Sequence, residues 1–482
     1  MSLKSKALYG VAWSIFDKLV NHLGSFLLLI YLSRVLTPSD FGLIAMLAVF
    51  LAVAQSLTDS GFSQALIQKS NSATEDDFST VFYVNLILSS SLYLLLYISA
   101  PTIADFYSSP VLVDLSRILF IIVIIDAIAL VPRSKLAIVL DFKTLGLVNS
   151  VSTIISALVA IIMVNSGLGY WSLVGLSLTK SIITSLLLVI VTRWCPKLKF
   201  SRVSFSSLFS FSSNLLIAGT VARIVQNLYA VMIGRYFNAT QAGYFQQAFS
   251  YTEMLSSAVT SVTQGVSYPL MTSIKDDRDR LIGIYKKVMG VITFVAFPVF
   301  IGFAAVAEEF VLILLGEKWK EVIPILMVMS LSRLFTPISS LNLGILNASG
   351  RSDLFLKTDL SKVPMVVGAL FIAIPYGIFW VACAHLTTTF ISFFINAYYP
   401  GKMFGFGALK QIKQMLPIAG ISVVMFFSIY FIKFDNLLFQ FIIKIIVGIF
   451  IFVLFCLIFK PAAFIDIRSL LGGGNKSGRG LV

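Results

Sequence analysis

Residues 32–42 read LSRVLTPSDFG and residues 233–243 read IGRYFNATQAG. At a spacing of 201, Arg34 falls on Arg235, Ser39 on Thr240 and Gly42 on Gly243, with no gap. Each stretch ends one long apolar segment and opens another, so each is a corner between two helices. The register continues with Ser56 over Ser257 and Ser60 over Ser261. Six apolar segments separate the corners. An even number of crossings preserves direction through a membrane, which makes the halves parallel repeats about an axis along the membrane normal.

The composition around the corners suits that reading. Of 482 residues, 58% are hydrophobic and 12% charged, against about 25% charged in a soluble protein. Runs of roughly 20 apolar residues, enough to cross a bilayer, recur from end to end. The fold expected is all-α: a polytopic membrane protein of about fourteen spans. These fall near 8–33, 42–67, 80–101, 117–140, 148–165, 170–192, 208–236, 242–272, 285–307, 322–346, 356–376, 378–398, 411–432 and 437–460. The first segment is too long for a secretory signal and carries Asp17 and Lys18, so it is read as helix 1. The division expected is an N-lobe at 1–200 (helices 1–6) and a C-lobe at 201–402 (helices 7–12). Helices 13–14 follow at 403–462, then a flexible cytoplasmic tail at 463–482. No loop is long enough to fold as a separate domain.

Basic residues set the orientation. With the N-terminus cytoplasmic, 25 Lys and Arg collect at inner helix ends and 6 at outer ends, a strong positive-inside bias. Both termini of this multi-pass chain are therefore expected in the cytoplasm. The net charge of +14 is then a topological signal and needs no nucleic-acid partner. Cys195, Cys383 and Cys456 are too scattered for a disulfide framework or a metal site. With His22 and His385 as the two histidines, neither a metal centre nor a cofactor is expected.

A charge at a helix centre costs about 2.5–3.5 kcal/mol on insertion scales, so those inside spans stand out. They are Asp17, Lys18, His22, Asp59, Asp126, Lys180, Arg223, Glu253, Arg333, His385 and Lys444. Lys180 and Lys444 have apolar neighbours and read as snorkelling or helix-contact residues. His385, beside three threonines, reads as an interhelical hydrogen bond. The rest keep polar company. Helix 7 carries Thr220, Arg223 and Asn227 on one face, and helix 8 carries Gln246, Ser250, Glu253, Ser257, Thr260 and Gln264 as a stripe. Helix 2 has Gln55, Asp59 and Ser63; helix 10 has Arg333, Thr336 and Ser340; helix 1 has Lys18 and His22 one turn apart. Such stripes cannot face lipid. They either hydrogen-bond between packed helices or line a water-filled central cavity built from helices 1, 2, 7, 8 and 10. Use of the same ordinal helices in each lobe favours the cavity.

Soluble-enzyme motifs fail. GGGNKS at 472–477 has Asn475 where a phosphate loop needs Gly, and no strand precedes it. Asp277-Arg278-Asp279 has a spacing that some glycosyltransferases use for a metal, but lies in a short charged loop. Asn238-Ala239-Thr240 fits a glycosylation tripeptide, a pattern common by chance.

The segment FVLILLGEKWKEVIPILMVMSLSRLFTPISSLNLGILNASGRSD (310–353) resembles the second-lobe signature of polysaccharide flippases, with LLG-x-x-[WY] after helix 9 and L-x-A-x-G-[RK] closing helix 10. Residues 10–45 resemble the first-lobe signature, and so does VPRSKLAIVLDFKTLGLV (131–148), which lacks a basic residue often found near Val139–Leu140. The resemblance covers nearly the whole chain. It is to the Wzx-type O-antigen and exopolysaccharide exporters, colanic acid exporters included, of the multidrug/oligosaccharidyl-lipid/polysaccharide exporter superfamily.

That resemblance implies an inner-membrane flippase rather than an enzyme. It would move undecaprenyl-pyrophosphate-linked oligosaccharide repeat units from the cytoplasmic to the periplasmic leaflet by alternating access, coupled to an H⁺ or Na⁺ gradient. Helices 13 and 14 would extend a lipid-accessible groove for the polyprenyl tail. The expected partners are the polyprenyl-pyrophosphate glycan, membrane lipid and polysaccharide polymerase machinery, and the chain is expected to be a monomer. Arginine suits a diphosphate because its fork donates two hydrogen bonds at once. Arg223 and Arg333 are therefore the leading phosphate ligands, followed by Lys18. His22 is the repeat counterpart of Arg223 at the 201 spacing, and Asn227, Gln246 and Gln264 complete the cavity lining. Asp17, Asp126, Glu253 and Asp59 are candidates for ion coupling or for counter-ions to the basic groups. A lipid II-type flippase or a multidrug exporter of the same fold is the alternative. The exporter would prefer an acidic, aromatic cavity for cations. A membrane glycan polymerase or ligase fits less well, because no outer loop is long enough to carry its catalytic residues.

Overall fold

A computed structural model describes residues 21–59, 62–69, 73–202, 204–206, 220, 223–224, 227–274 and 277–472. The chain divides into two compact units, Met1–Gln246 and Gln247–Val482.

In the first unit, α1 (described from 21 to 35) leads into α2 (Pro38–Asp59, continued by Phe62–Gln68). Then follow α3 (Glu75–Phe106), α4 (Leu112–Ile138), α5 (Phe142–Asn165) and α6 (Trp171–Thr192). α7 is described at 223–224 and 227–236, and α8 runs Ala239–Ser273 into the second unit. α3 starts five residues before its expected position at 80 because Thr74 and Asp77 form a reciprocal capping box, each side chain bonding the other's backbone N–H. It also runs on past Pro101 to Phe106. At the end of the unit away from the corners, Lys135 lies 4.5 Å from the Phe78 ring centroid and 5.2 Å from that of Trp194. Its Nζ donates to Glu75 at 2.6 Å, and the Trp194 indole donates to the same carboxylate at 2.9 Å.

The two corners meet within this unit, and the repeat governs how. Thr37 and Asn238, again 201 apart, cap the second helix of each corner. The N–H and hydroxyl of Thr37 each donate to Asp40 at 2.8 Å, and Asn238 Oδ1 accepts the Gln241 N–H at 2.9 Å. A Cβ on Gly42 would lie 1.7 Å from the Ala239 carbonyl oxygen, and one on Gly243 would lie 1.8 Å from the Pro38 carbonyl oxygen. Ala239 is the counterpart of Pro38 in the repeat, so this is one contact made twice about a local two-fold axis. Neither glycine has a positive φ. Both are needed because only a hydrogen fits between the crossing backbones.

The second unit holds the rest of α8, then α9 (Arg278–Ala305), α10 (Val322–Ala348), α11 (Asp353–Tyr376), α12 (Ile378–Phe404), α13 (Ala408–Tyr430) and α14 (Leu437–Phe459). Asp277 caps α9 by accepting the Arg280 N–H at 3.1 Å, which gives the Asp-Arg-Asp run a local structural task. Two buried polar networks fasten the last two helices. Asn342 on α10 donates to Gln411 on α13 at 3.0 Å, Gln411 donates to the Tyr285 hydroxyl of α9 at 3.0 Å, and Tyr285 donates back to Asn342. In the other network, Lys444 of α14 donates to Glu309 at 2.5 Å, and Gln440 donates to the same oxygen.

Among the described residues, eleven helical segments are long and apolar enough to span a membrane. They correspond to every expected span except helices 1, 7 and 8. The first two lie partly outside the described residues, and α8 is not among the eleven. The tail expected to be flexible from 463 is corrected over its first part. Residues Ala462–Gly472 form a helix, α15, because Ala463 and Phe464 pack into the core of the second unit against Phe294 and Phe452.

Candidate functional site

Each unit carries a polar cluster inside its spans. In the second unit the cluster centres on Arg333, and the backbone sets its place. α10 is interrupted there: Val322–Ser332 is α-helical, Arg333–Phe335 is a 3₁₀ turn, and Thr336–Ala348 is α-helical again. The cause is Pro337, which has no N–H for the Arg333 carbonyl. That carbonyl accepts from the Thr336 N–H instead, tightening the turn.

The Arg333 side chain is buried. Its Nη1 donates to Glu253 of α8 at 2.8 Å, and its guanidinium carbon sits 4.6 Å from the centroid of the Phe249 ring, one turn back on the same helix. His385 of α12 lies within its electrostatic reach. Nε and Nη2, both buried, have no hydrogen-bond acceptor among the described residues. These two nitrogens share one edge of the guanidinium, the edge that grips two oxygens of a carboxylate or phosphate side by side. A buried donor without an acceptor is rare and costly. Here two stand next to each other on a single cation.

In the first unit the polar stripe of α2 faces α4. Gln55 donates to Asp126 Oδ2 at 2.9 Å, and Ser63 pairs with Ser134 at 2.8 Å. Both pairs have the same sequence offset, so α2 and α4 run parallel. Asp126 Oδ1 also accepts from Ser181 of α6 at 2.5 Å, and Ser185, one turn on, donates to the Ile125 carbonyl at 2.9 Å. Asp126 thus has neutral donors on both oxygens, and no basic side chain pairs with it among the described residues. Asp59, between Gln55 and Ser63 on the same face, feels Arg133, Asp126 and Arg223 electrostatically. Arg223 is exposed, and its carbonyl accepts from Asn227 at 2.9 Å. Thr220 lies 3.4 Å from Ser56 of α2.

The expected site residues therefore sort by unit. Arg333 and Glu253 come together in the second; Asp126, Asp59 and Arg223 belong to the first, with Gln55 of the expected helix 2 stripe bonded to Asp126 and Ser181 added by the fold. His22 is half-buried on α1, beside Asn21, whose amide oxygen accepts from Thr153 of α5 at 2.6 Å. Gln246 is half-buried on α8. Asp17, Lys18 and the side chain of Gln264 lie outside the described residues. His385 accepts through its carbonyl from Thr388 and Thr389 at 3.0 and 2.8 Å, bonds within its own helix. Lys444 is a helix-contact residue rather than a snorkelling one. Its partner Glu309, fully buried and with no donor to Oε2 among the described residues, escaped the sequence reading, which ended helix 9 at 307. The signal available was Glu308-Glu309 between two apolar runs. No group of three or more His, Cys, Asp or Glu side chains suited to a metal occurs among the described residues.

The chain is 29% identical over 348 residues to the teichuronic acid biosynthesis protein TuaB of Bacillus subtilis (strain 168), covering 71% of each chain. It is 23% identical over 381 residues to the lipopolysaccharide biosynthesis protein WzxC of Escherichia coli (strain K12), covering 77% of this chain and 76% of that one. The lipid II flippase MurJ, in an inward closed conformation, superposes with a TM-score of 0.77 at 17% identity, over 96% of this chain and 100% of that one. At that identity the likeness shows the fold. The Wzx-type signatures read in the sequence agree with the first two, and the model of the polysaccharide biosynthesis protein family matches residues 31–324. The chain belongs to that family.

Proposed function

We propose that the protein is a flippase for a lipid-linked oligosaccharide in a bacterial inner membrane, and that its cargo is an undecaprenyl-pyrophosphate-linked repeat unit. The observation that carries this reading is the unfilled Nε–Nη2 edge of buried Arg333. A drug-cation exporter has no use for a preformed anion fork, whereas a diphosphate matches it in charge and geometry. Glu253 holds the guanidinium by its far nitrogen and leaves that edge turned to the ligand. Arg223, in the first unit, is proposed separately as a phosphate ligand, being exposed within its span where a charge needs water or a counter-charge.

Transport by alternating access requires a moving element and a coupled ion. The 3₁₀ turn at Arg333–Phe335 supports α10 as a hinge, because a mid-helix turn of that kind bends easily. Asp126 is the proposed coupling carboxylate, for H⁺ or Na⁺: it is held by a hydroxyl and an amide, and among the described residues no basic side chain pairs with it. The orientation proposed places both termini in the cytoplasm and the two corners at the periplasmic end, on the positive-inside bias.

The test is native mass spectrometry of the purified chain, asking whether a polyprenyl-pyrophosphate glycan co-purifies. Wild type should retain it and Arg333→Ala should not. Equal retention in both would remove Arg333 from the site. A phosphate-free cargo would remove the flippase reading itself.

A further inference from the structure

A groove in the first unit plays no part in the transport reading. It lies among α2, α3 and α7, has a volume of about 670 Å³, and is lined by apolar side chains except at Ser99 and Thr102. Pockets of that size hold ligands, and the medium around a membrane helix is lipid. Along α3 the groove runs from Leu92 to Phe106, about 21 Å at 1.5 Å per residue. One leaflet's hydrocarbon is roughly 15 Å deep, half the core thickness. An extended chain of one leaflet therefore fits its length.

The groove ends on a cation. Ile224, Leu228 and Val231 of α7 line it, and Arg235, four residues on, continues the same helix face. Arg235 is exposed, donates through Nη1 to the Phe106 carbonyl at 2.7 Å, and lies 5.2 Å from the centroid of the Phe106 ring that closes the groove. No carboxylate pairs with Arg235 among the described residues, and the side chain is exposed beside the last α3 residue that lines the groove.

We propose that this groove binds one acyl chain of an anionic phospholipid, with the lipid phosphate on Arg235. The occupant comes from the leaflet at the corner end, the outer one in the orientation proposed above. The site is separate from the Arg333 cluster and takes a resident lipid instead of the cargo.

The experiment is native mass spectrometry of the whole purified chain, titrated with phosphatidylglycerol or phosphatidylcholine of matched acyl chains. Wild type should hold one phosphatidylglycerol about fivefold more tightly than phosphatidylcholine, the effect expected of one basic residue at a membrane surface. Arg235→Gln should abolish the preference while chain binding persists. Leu96→Trp and, as a milder filling of the same groove, Val53→Phe should weaken both lipids in variants that run as a single species on size exclusion. Undiminished binding in the filled variants would overturn the site. So would the absence of a headgroup preference in wild type, or displacement of phosphatidylglycerol by a polyprenyl phosphate at equal concentration. The measurement involves no transport, so failure of the flippase reading leaves it standing, and the reverse holds too.

Discussion

Arg333 shows how far a single position can be read before its neighbours are known. Its cost inside a span marks it as functional, but the break that Pro337 makes four residues later went unread, the expected span running unbroken over 322–346. The choice of Glu253 as partner was not legible, because any of several carboxylates in the spans could have reached it and only packing selects one. Arg333→Lys should accumulate normally yet export at a rate about tenfold lower, since lysine keeps the charge and loses the paired donors; Arg333→Ala should abolish export. Surface polysaccharide assayed beside membrane protein level separates the two effects, and normal polysaccharide from the alanine variant would refute the role. The Glu309–Lys444 pair gives a contrasting case of pure structure. Lys444→Met leaves a buried carboxylate uncompensated and should lower stability by about 3–5 kcal/mol. The double variant Glu309→Gln/Lys444→Met should recover most of that loss in a thermal melt. Glu309 went unread because the helix continues through Ala307–Phe310 and a π turn at Val311–Leu315, where a pair of glutamates reads as a loop.

At the scale of elements, helix periods and corners were legible almost throughout, because a bilayer demands long apolar runs and leaves little choice of architecture. Ends were less so: the capping box at Thr74 and the packed helix at Ala462–Gly472 rest on local bonds and on burial that hydropathy does not report. The polar stripe of α2 was visible, but its use against α4 was not. The crossing at the corners makes a specific demand. Gly42→Ala and Gly243→Ala should each force the backbones apart, reduce export to a similar degree, and increase labelling of a cysteine at Thr37 by an impermeant reagent added outside. Gly283→Ala, where a Cβ meets nothing within 4 Å, should leave export unchanged and serves as the control. An inert Gly42→Ala would show that the corner has slack.

For the whole molecule, orientation and coupling are the open physical quantities. Cys195 is exposed and lies among the basic residues following α6, so impermeant thiol reagents should reach it only from the cytoplasmic side. Lys318→Cys should react from outside. Labelling of Cys195 in intact cells would invert the proposed topology. Asp126→Asn should fold normally, since Gln55 can still donate to the asparagine oxygen while the Ser181 hydroxyl accepts from its NH2, but should lose the dependence of flipping on an imposed ion gradient. Gradient dependence that survives unchanged would move the coupling site elsewhere.

The corner also bears on how such a chain could arise. Gly42 touches the counterpart of Pro38, and Pro38 touches the counterpart of Gly42. A surface with that property is complementary to itself. A half-length ancestor would therefore have matched a second copy of itself there before any gene fusion, so that joining two copies end to end would have preserved an existing fit without having to invent one.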